Sequence, residues 1–187
     1  MSAGDDLIEA VHGFWFGPPP YERRAIWFEK DSDFDAEIQT RFGEAWGPAS
    51  SGTFDHFSDT ARGRLALLVL LDQFSRNLHR GDARAFSNDD KALALAKVGV
   101  EKGHDMEVTL YERVFMYLPF EHSEAPADQE RCVALFDRLC DERWNDYAAR
   151  HLEIIARFGR FPHRNDTLCR ASTDEEKAFL EEPGSSF

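Results

Sequence analysis

Leu65-Ala66-Leu67-Leu68-Val69-Leu70-Leu71 runs without a break into Asp72-Gln73-Phe74-Ser75-Arg76-Asn77-Leu78-His79-Arg80. The first segment is apolar on every side. A helix with no polar face has no side to give to water, so the segment predicts a central helix wrapped by others. It is also far shorter than the ~20 apolar residues a bilayer-spanning helix needs. The second segment is different. Asp72, Arg76 and Arg80 fall at i, i+4 and i+8, and Gln73, Asn77 and Arg80 also share a face, if one helix continues through them. Charges that prolong a buried helix need partners, because an unpaired buried charge is very costly. These residues therefore either line a polar pocket or belong to an internal ion-pair network.

Helical periodicity extends outward in both directions. Leu7, Ile8, Val11, Phe14 and Trp15 mark one face of a helix that should stop at Gly17-Pro18. Phe34, Ile38, Phe42 and Trp46 repeat every four residues, with an end expected at Gly47-Pro48. The Ser-, Gly- and Phe-containing stretch 48–60 predicts an internal loop, anchored by Phe54 and Phe57. Ser87 with Asp90 predicts the start of a helix that runs to Gly103. A helix from Thr109 is expected to be interrupted at Pro119, and Pro126 suits the first turn of the next. Asn145 is the expected cap of a helix carrying Ala148, His151, Leu152 and Ile155. Thr173 with Glu176 forms a capping box for a last short helix. Ala and Leu outnumber Val, Ile and Thr, and no alternating strand run or repeat occurs. The fold class predicted is all-α, as a single helical domain over 1–187.

Length and charge narrow the partners. The chain has 187 residues, a size at which one hydrophobic core suffices without staples. Its net charge of −13 argues against broad nucleic-acid or anionic-membrane binding. Three cysteines are too few and too odd for a disulfide framework. Cys132 and Cys140 would stand about 12 Å apart on one helix, beyond bridging distance. The acidic start Met1-Ser2-Ala3-Gly4-Asp5 lacks a signal-peptide layout, so a cytoplasmic protein is expected.

Two further clusters carry chemistry. Glu121-His122-Ser123-Glu124 follows Pro119 and places two carboxylates beside an imidazole, a set suited to acid–base work. Its spacing is not that of a zinc site. Glu9 and His12 form a Glu-x-x-His, but the second copy that a di-iron bundle needs is absent from the sequence, so no metal and no cofactor are expected. The third cluster, Arg157-Phe158-Gly159-Arg160-Phe161-Pro162-His163-Arg164-Asn165, leads to Cys169-Arg170. Four arginines and a histidine stand there against the single acid Asp166, a local inversion of sign in an acidic chain. Guanidinium forks suit carboxylates and phosphates. Pairing of these arginines with Asp72, Glu121 or Glu124 inside the fold is the competing account.

Taken in order, these stretches resemble a bacterial family catalogued as domain of unknown function 924. The resemblance rests on Phe14-Trp15-Phe16-Gly17, Trp27-Phe28, Phe34-Asp35, the Leu65–Arg80 run, Glu121-His122-Ser123-Glu124 with Gln129, Phe158-Gly159-Arg160-Phe161-Pro162-His163-Arg164-Asn165, and Ser172-Thr173 with Glu175-Glu176. It implies a tetratricopeptide-like α–α superhelix and brings no established activity. Where similar chains carry Gly before the Arg of a Leu-Gly-Arg-x-Ser-Thr stretch, this chain has Cys169. That departure speaks against Cys169 as a shared nucleophile.

Three functions remain open from the residues. In the first, an anionic small molecule or a peptide carboxylate is bound by Asp72, Gln73, Arg76, Asn77, Arg80, Arg160, Arg164, Asn165 and Arg170. In the second, the protein is an enzyme whose acid–base groups are drawn from Glu121, His122, Glu124 and His163. In the third, the clusters lock helices together and function resides in a protein–protein surface. Surface aromatics are compatible with a homo-oligomer, but nothing in the sequence specifies one.

Overall fold

The computed structural model describes residues 3–185, whose regular elements are helices joined by turns and loops, with no strand among them. The fold class is all-α. The α-helices are α1 (Ala3–Phe16), α2 (Ser32–Ser51), α3 (Ala61–Leu68), α4 (Phe74–Leu78), α5 (Asp89–Glu101), α6 (Leu110–Glu121), α7 (Pro126–Asp137), α8 (Glu142–Phe158) and α9 (Asp174–Leu180). Two compact units emerge. The first comprises residues 3–80 and 84–119; the second comprises 81–83 and 120–185. None of the helices described is long and apolar enough to cross a membrane.

The first unit is built around the apolar run. Leu65 to Leu71 are all buried. They do not form one uniform helix, however. Between α3 and α4 the chain makes a π-helical turn, Val69–Gln73. A π turn adds one residue to the helical circuit and resets which side chains share a face. Here it leaves Asp72 and Gln73 buried along with the leucines. The expected common face of Asp72, Arg76 and Arg80 is cut short as well. Helix α4 ends at Leu78, and His79 leaves helical geometry at φ −129°, ψ 37°, so Arg80 lies beyond it.

Aromatic rings fill the rest of this core. Trp27 meets Phe115 at 4.9 Å between centroids, Trp15 meets Phe115 at 5.4 Å, and Phe42 meets Phe74 at 5.0 Å. Arg24 donates to the carbonyls of Phe14 and Trp15 at 2.6 and 2.7 Å, which satisfies orphan acceptors at the C-terminal end of α1. Gly17, at φ +76°, turns the chain out of that helix as expected.

Two prolines sit inside helices, contrary to expectation. Helix α2 passes through Pro48 to Ser51, and the expected loop shrinks to residues 52–60, which hold the 3₁₀ turn Asp55–Asp59. Pro48 forfeits one N–H, but its carbonyl accepts from Thr53 at 2.9 Å, and Gly52 at φ +92° ends the helix. Helix α6 continues through Pro119 to Glu121, flanked by buried Leu118 and Phe120. Burial of whole side chains at roughly 1.5–3 kcal/mol each outweighs one lost hydrogen bond.

In the second unit α7 packs against α8. Cys132, Leu135 and Phe136 of α7 and Trp144, Ala148, Ile154 and Ile155 of α8 are buried. Pro126 opens α7 as expected. The cap of α8 is Asp141, not Asn145: its carboxylate accepts from the Arg143 N–H at 3.0 Å. Asn145 lies a full turn inside the helix. The capping box of Thr173 and Glu176 is present at α9. Cys140 and Cys169 both adopt left-handed backbone, at φ +54° and +53°. Such φ values strain any residue with a Cβ and suit glycine, which gives the departure at Cys169 its physical meaning.

Candidate functional site

In the first unit, the polar continuation of the buried run is closed by carboxylates. Arg76 bridges Asp72 at 3.2 Å and forks onto Asp89 at 3.0 and 3.1 Å. Burial opposes its charge, and those two acids more than restore it, so the Arg76 pKa lies above its ordinary value. Gln73 donates to Asp72 at 2.5 Å. Asn77 donates to Asp35 at 2.7 Å, and Arg80 forks onto the same carboxylate. Asp72, Gln73, Arg76, Asn77 and Arg80 thus form a knit network that joins α4 to α2 and α5.

The same unit holds a buried pair that the sequence hid. His12 Nε2 lies 2.5 Å from Glu112 Oε1, a hundred residues away. Glu112 Oε2 accepts from the Thr109 N–H at 2.8 Å and the Thr109 hydroxyl at 2.6 Å. Burial works against ionisation of Glu112, but those donors hold its carboxyl down at about 2. Glu9, the other member of the Glu-x-x-His, pairs with Arg62 instead. Arg62 Nη1 also reaches His12 Nε2 at 3.2 Å. Among the described residues no group of three or more His, Cys, Asp or Glu is arranged to hold a metal.

In the second unit the two remaining clusters meet. Glu124 accepts a bidentate fork from Arg170 at 2.7 and 3.0 Å and the Phe161 N–H at 2.8 Å. Burial would raise its pKa, and Arg170 and Phe161 together bring it below the usual carboxylate range. Arg170 also donates to Asn165 Oδ1 at 2.9 Å, and Asn165 donates to Ser172 at 3.1 Å. Gln129, fully buried, donates to the carbonyls of Glu121 and Ser123 at 2.6 Å each and so fixes the turn after α6. Arg160 forks onto Glu176 at 2.6 and 2.8 Å. That fork, with the Thr173 N–H, holds the Glu176 carboxyl at about 2. The 121–124 segment therefore does face the arginines, but through a direct ion pair.

The hub of this unit is His151, which the sequence placed only on the buried stripe of α8. Its Nδ1 lies 2.8 Å from the Tyr147 carbonyl and 3.4 Å from Glu121 Oε1. Burial pushes its pKa down to about 3, and the nearby His122, Arg164 and His163 push the same way, against the Tyr147 carbonyl. The Phe161 ring lies among three of these groups. His151 is 5.5 Å from it, His163 5.6 Å, and the Arg164 guanidinium 4.5 Å from its centroid. Arg164 and Glu121 are buried, whereas His122 and His163 are half-buried. On α7, the buried Cys132 thiol is pushed well above its ordinary pKa by burial and by Glu121, which leaves it inert as a nucleophile. A carboxylate beside a buried imidazole can relay a proton, and a guanidinium among imidazoles can hold an anion.

The chain matches the family described as "Bacterial protein of unknown function (DUF924)" over residues 11–184, and it belongs to that family. It is similar to the solved structure of a protein of unknown function from Agrobacterium tumefaciens. That likeness has a TM-score of 0.88 and 39% identity, over 95% of this chain and 98% of the other. No curated protein matches the chain.

Proposed function

We propose that the protein is a binding protein for an anion, and that the second unit holds the anion at Arg164 with His122 and His163. Of the nine ligand-binding candidates, Asp72, Gln73, Arg76, Asn77 and Arg80 belong to a network that holds the first unit together. Arg160, Asn165 and Arg170 have the same task in the second, through Glu176 and Glu124. The observation that carries the reading is the gathering of Arg164, His163 and His151 on the Phe161 ring, with His122 near His151. An arginine offers five donors in a fixed plane, and imidazoles add donors whose charge can be tuned.

The test is a thermal-shift titration with inorganic phosphate and with acetate, on the wild type and on Arg164→Gln. An anion at a hundred times its dissociation constant should stabilise by about 2.7 kcal/mol, raising Tm by roughly 2–4 °C for a domain near this size. That shift should vanish in an Arg164→Gln protein whose circular dichroism is unchanged. The paired arginines support a second reading, in which the clusters only lock helices together. It predicts no shift with any anion and a variant weakened by several kcal/mol.

A further inference from the structure

Arg64 of α3 is a buried cation held by neutral acceptors. Its Nη1 donates to the Leu95 carbonyl at 2.7 Å, Nη2 to the Ser58 carbonyl at 2.6 Å, and Nε to His104 Nδ1 at 3.1 Å. The side chain lies on Gly99 of α5, where an added Cβ would stand 2.7 Å from Arg64 Cδ. A guanidinium only donates, so His104 Nδ1 must be the bare nitrogen of a neutral ring. His104 is buried too, and it opens the 3₁₀ turn His104–Glu107. That turn is set between two joints outside helical geometry, Gly103 at φ +76° and Val108 at φ −118°, ψ 163°. Helix α6 also ties it down. Tyr117 donates to Asp105 Oδ2 at 2.6 Å, and Arg113 donates to the carbonyls of Asp105 and Val108 at 2.8 and 3.3 Å. The charges that bear on His104 are Arg64, Lys102 just past α5, and Asp105 and Glu107 of its own turn; Asp59 bears on Arg64. Burial, and after it Arg64, holds the His104 pKa below its ordinary value; Lys102 adds to this, and Glu107 and Asp105 offset only part.

We propose that the turn His104–Glu107 is an acid-released latch: a proton taken up at His104 Nδ1 deprives Arg64 of its acceptor and swings the turn out about Gly103 and Val108. The proton comes from solvent, and no covalent bond is made or broken. It converts the bare nitrogen into an N–H and the ring into a cation, facing the N–H of a permanent cation in the interior. Arg64 keeps the Leu95 and Ser58 carbonyls when the ring leaves, whereas Asp105 is drawn from Tyr117 and two carbonyls from Arg113. The opening reaches the start of α6, because Val108 leads into Thr109, whose N–H donates to Glu112 at 2.8 Å. The sign follows from linkage. The open turn carries an ordinary imidazole, so its population rises about tenfold for each pH unit below about 6.5, until the folded ring itself titrates.

Two measurements on the full chain and one variant test the latch. Nitrogen-15 NMR of the histidine rings near pH 7.5 should find His104 Nδ1 without a proton; a proton on Nδ1 would overturn the proposal at once. Hydrogen exchange, corrected for the intrinsic rate of each amide, is then followed from about pH 7.5 to about pH 5.5. Protection of residues 103–109 should be level above about pH 7 and fall about tenfold over the last unit. A level profile throughout would overturn the latch. In His104→Gln the amide oxygen can still accept from Arg64 but does not titrate, so the slope should disappear, whether the turn stays shut or stands open at every pH. An unchanged slope in that variant would assign the opening to another group and sink the proposal.

Discussion

His12 and His151 are both buried histidines on amphipathic helices, and their surroundings are opposite. His12, in the first unit, is set against the Glu112 carboxylate at 2.5 Å, and Thr109 fixes that carboxylate from behind. His151, in the second, has His122, His163 and Arg164 around it and a carboxylate only at 3.4 Å. Both rings are buried, so what separates them is the company. His12 has a close carboxylate anchored beside its ring, whereas His151 has a guanidinium and two further imidazoles near it and is kept neutral chiefly by burial.

Acid titration should separate the two most strongly. The His151 pKa is lowered in the folded state, so the unfolded chain binds the proton more readily. The stability this gives is complete above about 6.5 and is lost as pH falls from 6.5 toward 3, a loss on the order of 5 kcal/mol. The Glu112 pKa is also lowered, from 4.5 to about 2, so its share, about 3 kcal/mol, is present above 4.5 and is lost only as pH falls from 4.5 toward 2. Hydrogen exchange followed against pH should show residues 142–158 losing protection at a higher pH than residues 3–16. Simultaneous opening of both segments would break the contrast.

A smaller effect is expected from Glu112→Gln, which keeps the shape and removes the charge facing His12. Denaturant unfolding should report a loss of about 1.5–3 kcal/mol near neutral pH, together with a flatter profile between 4.5 and 2. The smallest effect sharpens the assignment of partners. Glu9→Gln removes the exposed acid of the Glu-x-x-His and leaves Glu112 in place. Its cost should stay below about 1 kcal/mol, as for other surface ion pairs. A larger cost would mean that Glu9 shares in holding His12.

Much of the helical plan could be read from the sequence, because it follows from local rules. The all-apolar run at Leu65 predicted burial, Pro126 a helix start, and Thr173 with Glu176 a capping box, and each needs only its neighbours. The π turn at Val69–Gln73 left no trace, since one extra residue in the circuit does not alter an apolar run or the acids that follow. Pro48 and Pro119 misled because the loss of one bond is visible locally while the burial that outweighs it is tertiary. The candidate site was legible in part. His163 and Arg164 stood out by local sign and His122 as an imidazole between two acids, but His151 looked like one more residue on a buried stripe. Its ties to Glu121 and to His163 cross between helices, and no spacing encodes them. The His12–Glu112 pair spans a hundred residues and was hidden for the same reason.

The three cysteines turn the second unit into its own opening gauge. Cys140 and Cys169 stand exposed on left-handed backbone, and Cys132 lies buried behind α8 with a thiol that resists ionisation. An alkylating reagent should therefore find two sulfurs at once and the third only when that unit breathes. Replacing the outer pair by glycine suits their backbone and should leave a chain with a single slow-reacting sulfur. Its labelling rate would time the excursions of the unit that carries the proposed site, with no probe attached beforehand.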